Sequence, residues 1–199
     1  MKYFILGLHS TGKQEVADIL EKLGIKCGKL FSNIIKPSES LYNSYNYELY
    51  SDKDIIDVFE NNAYVFIHEL DNNQIPSEYK KYEGLSKYTV DQNDVFVLSP
   101  DQLLNIIPNS INDNVCFIWR DGTTNNRKSR FRAEKRLYNF TDRDYIEKRD
   151  IQSFVKYMYG FDNSRVIYFN DEEPCRVATI IYSLIQHPEL LPLYEKNFN

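Results

Sequence analysis

The sequence predicts a three-layer α/β fold, in which helices cover both faces of a mostly parallel sheet. One observation is a series of short apolar runs typical of buried strands, at residues 3–6, 94–98, 115–119 and 165–169. A second is that helical patterns separate these runs, clearest at 14–23 and in the stretch that begins near Pro174 and ends around His187. Strands that alternate with helices form parallel sheets, whose ligands bind at the carboxyl ends of the strands.

Composition limits the class of protein. The 199 residues suffice for one domain, and 42% hydrophobic with 27% charged residues is typical of a globular chain. A net charge of −5 argues against general nucleic-acid binding. Three isolated cysteines, without metal-ligand spacing, favour a reducing cytoplasm, either the cell's own or that of a host if the protein is viral. No apolar stretch approaches the roughly 18 residues of a membrane span, so no membrane partner is expected.

Two polar stretches interrupt the alternation and divide the chain. Residues 1–30 and 91–199 are expected to form the core, whereas 31–90 are rich in Tyr, Asn and Ser and are expected to form a small α+β insertion. Within the insertion we expect strands at 45–50 and 64–68 and a helix at about 52–60. Inside the core, about 120–149 is polar and basic, with helical character in its second half, as expected of a mobile helical lid.

The loop after the first strand has the spacing of a phosphate-binding P-loop. Gly7 is followed by four residues and then by Gly12 and Lys13, between a strand and a helix. Such glycines let backbone N–H groups surround phosphate oxygens, and the lysine reaches a terminal phosphate. The motif usually continues with Ser or Thr as a Mg²⁺ ligand, but this chain has Gln14, so Gln14 or Thr11 would have to contact the metal. An ordinary glycine-containing turn is the alternative.

A basic run follows the predicted strand 115–119. Arg120 lies at the strand end, and the run continues with Arg127, Lys128, Arg130, Arg132, Lys135 and Arg136. A solvated helix face or an RNA-binding patch would also produce such a run. Its position within a P-loop core favours a lid that brings arginines onto the phosphates of a nucleotide.

The whole layout resembles the guanylate kinases, a family of P-loop nucleoside monophosphate kinases. After the first helix, Ser32, Pro37, Tyr47 and Ser51 are in register with the family's acceptor-binding segment. Near the end, residues 161–171 resemble its last strand and the Asn-Asp turn. The resemblance implies ATP as the phosphate donor, Mg²⁺ as cofactor, and a nucleoside monophosphate as acceptor.

The motif and the resemblance together give three groups of site residues. The expected catalytic residues are Lys13, Arg120, Arg127, Arg130 and Arg149. The expected ATP-binding residues are Gly7, His9, Ser10, Thr11, Gly12, Lys13, Gln14 and Asn170. The expected acceptor-binding residues are Ser32, Lys36, Tyr47, Glu69, Thr89 and Asp101.

The departures from the family lie where the acceptor would bind. The two arginines expected to hold the GMP phosphate fall on Ile35 and Ser38, and the glutamate expected to read guanine falls near Leu41. An acceptor other than GMP is one interpretation. A catalytically inactive guanylate-kinase-like module that binds nucleotide or protein is the alternative, and nucleic-acid binding through 127–136 is a third hypothesis that the overall charge does not favour.

Overall fold

The structure is a computed structural model that describes residues 1–33, 47–69, 82–107, 110–111, 114–133 and 139–195. In chain order its strands are β1 (Lys2–Gly7), β2 (Cys27–Gly28), β3 (Leu30–Ser32), β4 (Tyr47–Leu49), β5 (Tyr64–Glu69), β6 (Tyr82–Ser86), β7 (Val95–Val97), β8 (Val115–Asp121) and β9 (Arg165–Asn170). Its α-helices are α1 (Lys13–Lys22), α2 (Asp52–Glu60), α3 (Lys87–Gln92), α4 (Pro100–Leu103), α5 (Thr124–Ala133), α6 (Phe140–Arg149), α7 (Ile151–Met158) and α8 (Pro174–Gln186), followed by a 3-10 helix, Pro188–Leu193. Among the described residues, no helix has the length and apolarity needed to cross a membrane.

The central sheet has the strand order β2-β7-β1-β8-β9, and every pair in it is parallel. Alternate residues of β1 enter two different apolar clusters. Phe4 and Leu6 pack with residues of α7 and of the insertion, whereas Tyr3 and Ile5 pack with residues of α1 and α8. Since both faces are buried, the strand reads as one continuous apolar run. The predicted three-layer α/β fold is confirmed.

A second sheet lies within the segment between β2 and β7. Its order is β4-β3-β6-β5, with β3 and β4 parallel and the other two pairs antiparallel. Leu30, Val65, Phe66 and Leu85 of this segment share a buried cluster with the central sheet. This continuity fixes the second sheet against the same core that positions the loop after β1.

Some elements differ from the sequence expectation. Helix α4 ends at Leu103 rather than near Ile107, and tighter turns follow it, in which the Asn105 and Ile106 N–H groups donate to the oxygens of Gln102 and Leu103. The lid is helical in both halves, since α5 occupies the first. The apolar pattern misses α5 because one of its buried side chains is Arg127 and its start is marked only by Thr123, whose hydroxyl accepts the Asn126 N–H.

Candidate phosphate-binding site

The loop between β1 and α1 requires glycine at both ends. Gly7 has φ +134°, and a Cβ added there would lie 1.8 Å from the backbone oxygen of Arg120, its partner on β8. Gly12 has φ +75° and directly precedes α1, without a side-chain cap. The first N–H groups of a helix have no partners within the helix, so this end of α1 favours an anion.

Lys13 folds back over the loop. Its Nζ donates hydrogen bonds to the backbone oxygens of Gly7 and Leu8, both at 2.8 Å. The Thr11 hydroxyl donates to the same Leu8 oxygen at 2.8 Å. These hydrogen bonds of Lys13 and Thr11 hold the loop in a compact turn, with the ammonium group against its backbone.

Arg120 joins the loop to the opposite side of the site. Its side chain is buried, and its guanidinium donates to the Gly12 oxygen at 2.9 Å and to the Glu172 oxygen at 2.6 Å. Burial, helped by the nearby charge of Arg130, lowers the pKa of Arg120 to about 10, so it stays protonated at neutral pH. Arg120 therefore links the P-loop to the connection between β9 and α8 through hydrogen bonds to both.

Two other predicted arginines reach the site from α5. Arg127 is buried; it donates to Asp144 and to the Gly122 oxygen, and its guanidinium carbon lies 5.6 Å from the centroid of the Phe140 ring. Among the described residues, Arg127 Nη1 has no hydrogen-bond partner. Arg130 pairs with Glu15 at 2.6 Å, directly over the position that a Gly12 Cβ would occupy.

Arg149 is placed differently. It is exposed at the end of α6 and makes a bidentate contact with the carboxylate of the adjacent Asp150, with both hydrogen bonds at 3.0 Å. In this arrangement the predicted catalytic residue is directed to its neighbour in sequence, not to the loop.

A cavity of about 320 Å³ opens between the P-loop, the start of α5 and the connection from β9 to α8. It is lined by Ser10, Thr11, Arg120, Asp121, Gly122, Asn126, Arg127, Ser129, Arg130, Asp171, Glu172 and Glu173. Asp171 accepts from the Thr123 N–H at 2.9 Å and from the Asn126 amide at 3.1 Å, and these contacts lower its pKa against the effect of burial. The expected donor-site residue Asn170 ends β9 beside this cavity, paired with Asp121.

A carboxylate that the sequence did not indicate, Glu147, contacts the loop from α6. Glu147 of α6 is only 2% exposed and accepts the His9 backbone N–H at 2.8 Å. The same Glu147 oxygen lies 2.8 Å from His9 Nδ1, which must carry the proton because a carboxylate can only accept. Burial raises the pKa of Glu147, but the two His9 hydrogen bonds and the Lys13 charge outweigh it and lower the pKa to about 2.

The depressed pKa of Glu147 predicts a loss of stability in acid. The carboxyl of Glu147 binds a proton near pH 4.5 in the unfolded chain but only near pH 2 in the folded one. Its contribution to the free energy of unfolding is therefore complete above about pH 4.5 and is lost as the pH falls towards 2. We expect the loss to be of the order of 3 kcal/mol. Urea unfolding of the wild type and of Glu147→Gln at several pH values in this range checks it. Parallel pH profiles for the two proteins would contradict it.

Gln14 presents an oxygen suited to a hard cation. Its Nε2 donates to Asp18 at 2.8 Å, which assigns the other amide atom as oxygen. That Oε1 is buried and has no hydrogen-bond partner among the described residues. Mg²⁺ prefers oxygen ligands and keeps several waters, so this carbonyl fits the ion. The Thr11 hydroxyl fits less well, because it is engaged by Leu8. Within the described ranges, no group of three acidic, His or Cys side chains could hold a metal.

On the second sheet, two expected acceptor-binding residues lie within polar networks. Ser32 is buried and donates to the Tyr82 oxygen at 3.0 Å. The Tyr47 hydroxyl donates to Glu83 at 3.0 Å, and the Gln102 amide donates to both Tyr47 and Glu83, at 3.0 and 3.1 Å. The structure thus brings Tyr47 together with a carboxylate and an amide that the sequence reading did not single out.

The other expected acceptor residues are spread over the second sheet and the helices beside it. Glu69 is exposed at the end of β5, and Asp101 is exposed in the first turn of α4. Thr89 lies at the start of α3, where its N–H donates to Ser86 Oγ at 3.0 Å and its hydroxyl lies 2.8 Å from the same oxygen. Lys36 lies outside the described residues, as do Ile35, Ser38 and Leu41.

The charges of the chain are unevenly divided between the two sides of the site. The first 119 residues contain no arginine, and Arg120 is the first of the chain. The guanidinium groups of the site therefore come from the end of β8 and from the lid, and the P-loop supplies Lys13, while the described part of the insertion contributes Glu83 and other carboxylates. This distribution favours a polyphosphate on the P-loop side and gives little support for an anion on the other.

Neither a protein-family model nor a curated protein sequence matches this chain. Among solved structures, it is similar to guanylate kinase from Anaplasma phagocytophilum, with a TM-score of 0.53 and 9% identity over 100% of this chain and 90% of that chain. Weaker likenesses are a sugar kinase from Janibacter sp. HTCC2649 (TM-score 0.41, 13% identity, 98% of both chains) and an uncharacterized protein from Eubacterium ventriosum (0.40, 14%, 94% of this chain and 99% of that one). At such identity the first match shows the fold alone, which is P-loop kinase-like.

Proposed function

We propose that this protein transfers a phosphoryl group from ATP to a nucleoside monophosphate. The observation that carries the proposal is the loop from Gly7 to Lys13, which combines a glycine-bounded turn, an uncapped helix start and an ammonium group held against the loop backbone. Backbone N–H groups and a lysine in this arrangement bind the phosphates of a nucleoside triphosphate. The adjacent cavity of about 320 Å³ offers room for the rest of the donor.

The lid would supply the remaining positive charge. Phosphoryl transfer depends on positioning and on charge stabilisation at the transferred group, and needs little covalent chemistry from the protein. Arg120 would hold the loop in shape, and Arg130 and Arg127 line the same cavity. Arg127 keeps one buried nitrogen without a partner among the described residues, which a phosphate oxygen would satisfy.

Mg²⁺, when bound, would neutralise part of the charge of the donor phosphates. Gln14 Oε1 is the group of this chain that we assign to it, because Asp18 fixes its orientation and no described residue satisfies it.

The acceptor is proposed to bind on the side of the second sheet, near Ser32, Tyr47 and the Glu83–Gln102 pair. A carboxylate in this network would repel an acceptor phosphate placed against it, but it accepts hydrogen bonds from a base edge or a sugar hydroxyl. Glu83 is therefore assigned to the nucleoside part of the acceptor. The phosphate would have to approach the lid arginines.

A screen of ADP release tests this proposal. The purified protein is supplied with Mg·ATP and, separately, with each common ribo- and deoxyribonucleoside monophosphate, and ADP is followed by a coupled assay. We expect turnover with at least one acceptor well above the rate without acceptor. Acceptor-independent ADP release for every monophosphate would contradict the kinase proposal.

A binding module without catalysis is the second candidate, and two observations favour it. Gln14 stands where a P-loop usually has a hydroxyl metal ligand, and no arginine precedes residue 120. This candidate predicts saturable ATP binding with no turnover on any monophosphate, so a calorimetric titration beside the screen separates the two.

Replacing Gln14 by serine is expected to strengthen the response to Mg²⁺. A hydroxyl next to the P-loop lysine is the usual metal ligand, and the amide of Gln14 is a substitute held by Asp18. We expect the Mg²⁺ concentration for half-maximal ATP binding to fall several-fold, as measured by titration at fixed ATP. Gln14→Ala should raise that concentration. An unchanged Mg²⁺ dependence in both variants would remove Gln14 from the metal site.

A further inference from the structure

Helix α6 makes two contacts with the candidate site, each through a carboxylate. Glu147 accepts from both the backbone and the ring of His9, at 2.8 Å each, and is nearly fully buried. Asp144, three residues earlier, accepts from Arg127 and from Lys148. Residues three apart lie on the same helix face, so one face of α6 engages both the loop and the lid arginine.

Glu147, which contacts the loop in this structure, is an anion, as a phosphate is. A backbone N–H has one hydrogen to donate, so the His9 amide cannot serve a carboxylate and a phosphate oxygen at once. Two anions at one buried position also repel each other strongly. A phosphate that takes this N–H must therefore displace Glu147.

The aromatic rings around His9 fix α6 in this position. The His9 ring contacts the rings of Phe131 and Phe140, with centroids 5.9 and 4.7 Å apart. Phe140 begins α6 and also lies under the Arg127 guanidinium. Loop, α5 and α6 thus form one packed unit, and a displacement of α6 would alter the surroundings of Arg127 as well.

We propose that α6 is an internal plug of the phosphate loop: Glu147 occupies the position of a phosphate at His9, Asp144 holds Arg127, and an entering triphosphate displaces both carboxylates together. The plug keeps the loop compact without nucleotide, and its withdrawal releases Arg127 towards the phosphates. The inference rests on the proposed binding of a triphosphate at the loop.

Removal of the plug's charge tests the inference. ATP is titrated by calorimetry, without metal, into the wild type, Glu147→Gln and Asp142→Asn, and inorganic tripolyphosphate is the second probe. Asp142 lies on the same helix but is exposed, so its variant controls for the loss of one negative charge. We expect about tenfold tighter binding of both probes to Glu147→Gln and no comparable change in Asp142→Asn. Thermal unfolding verifies that each variant is folded.

A second measurement uses the unmodified chain. The ¹³C-carboxyl resonance of Glu147 in the wild type is expected to shift when ATP is added to saturation. An unshifted resonance overturns the plug. So does a Glu147→Gln variant whose affinity for the two probes is unchanged or rises no more than that of Asp142→Asn. If Glu147→Gln binds more tightly but no monophosphate supports ADP release, the plug stands and the kinase proposal fails. If the wild type turns over and Glu147→Gln gains no affinity, the kinase proposal stands and the plug fails.

Discussion

Replacing Gly7 by alanine is expected to destabilise the protein by more than about 4 kcal/mol, a large share of the stability of an ordinary domain. The added Cβ would lie 1.8 Å from the Arg120 oxygen and 2.7 Å from its carbonyl carbon, and both belong to the backbone of the neighbouring strand. Backbone in the middle of a sheet cannot move aside without breaking the pairing of β1 with β8. Circular dichroism and urea unfolding measure the loss.

Gly24 provides the matched control. It also has a left-handed backbone, φ +85°, but a Cβ there would meet nothing within 4 Å. Gly24→Ala should therefore cost only the backbone strain, about 1–2 kcal/mol. If Gly7→Ala were no less stable than Gly24→Ala, the close approach of β1 and β8 at the P-loop would be wrong.

Replacing Lys13 by alanine is expected to lower turnover by at least about a hundredfold, because it removes a positive group from the developing charge of the transferred phosphoryl. Its hydrogen bonds to the Gly7 and Leu8 oxygens hold the ammonium group against the backbone of the loop. The kinetic constants for ATP and for the best acceptor are the readout. We expect kcat to fall more than the affinity for the acceptor.

Lys22, exposed in the last turn of the same helix, is the control for a lost lysine. Lys22→Ala should keep wild-type kinetics, and both variants should unfold at temperatures close to that of the wild type. Wild-type turnover in a folded Lys13→Ala protein would exclude Lys13 from the mechanism.

Most of the fold was predictable because its strands are buried on both faces. The runs at 94–98, 115–119 and 165–169 correspond to β7, β8 and β9, and the expected helix at about 52–60 is α2. Short strands such as β2 and β3 were not predicted, since two or three residues carry no periodicity. They form because longer neighbours supply their hydrogen bonds.

The loop was predictable for a different reason, because its glycines and lysine act within one short segment. The lid was also expected, from its basic run, but the partners of its arginines were not, since most of these contacts join residues far apart in sequence. Nothing in a basic run indicates that Arg130 pairs with Glu15, over 100 residues away. Arg149 instead pairs with Asp150, its neighbour in sequence. Glu147 was missed because an acidic residue in a polar helix is usually solvated, and only the fold places it against His9.

On the acceptor side, sequence register identified Tyr47 but not its partners. Glu83 and Gln102 come from a strand and a helix that the chain brings together through the second sheet. Residues that are neighbours in sequence can be predicted to interact, whereas Tyr47 and Gln102 are 55 residues apart.

The most direct test of the central claim is a crystal structure of the protein with a non-hydrolysable ATP analogue. We predict a phosphate group within hydrogen-bonding distance of the backbone N–H groups between His9 and Lys13, with Lys13 Nζ turned from the Gly7 oxygen onto it. Analogue bound elsewhere, with Glu147 still on the His9 N–H at saturating concentration, would contradict the account.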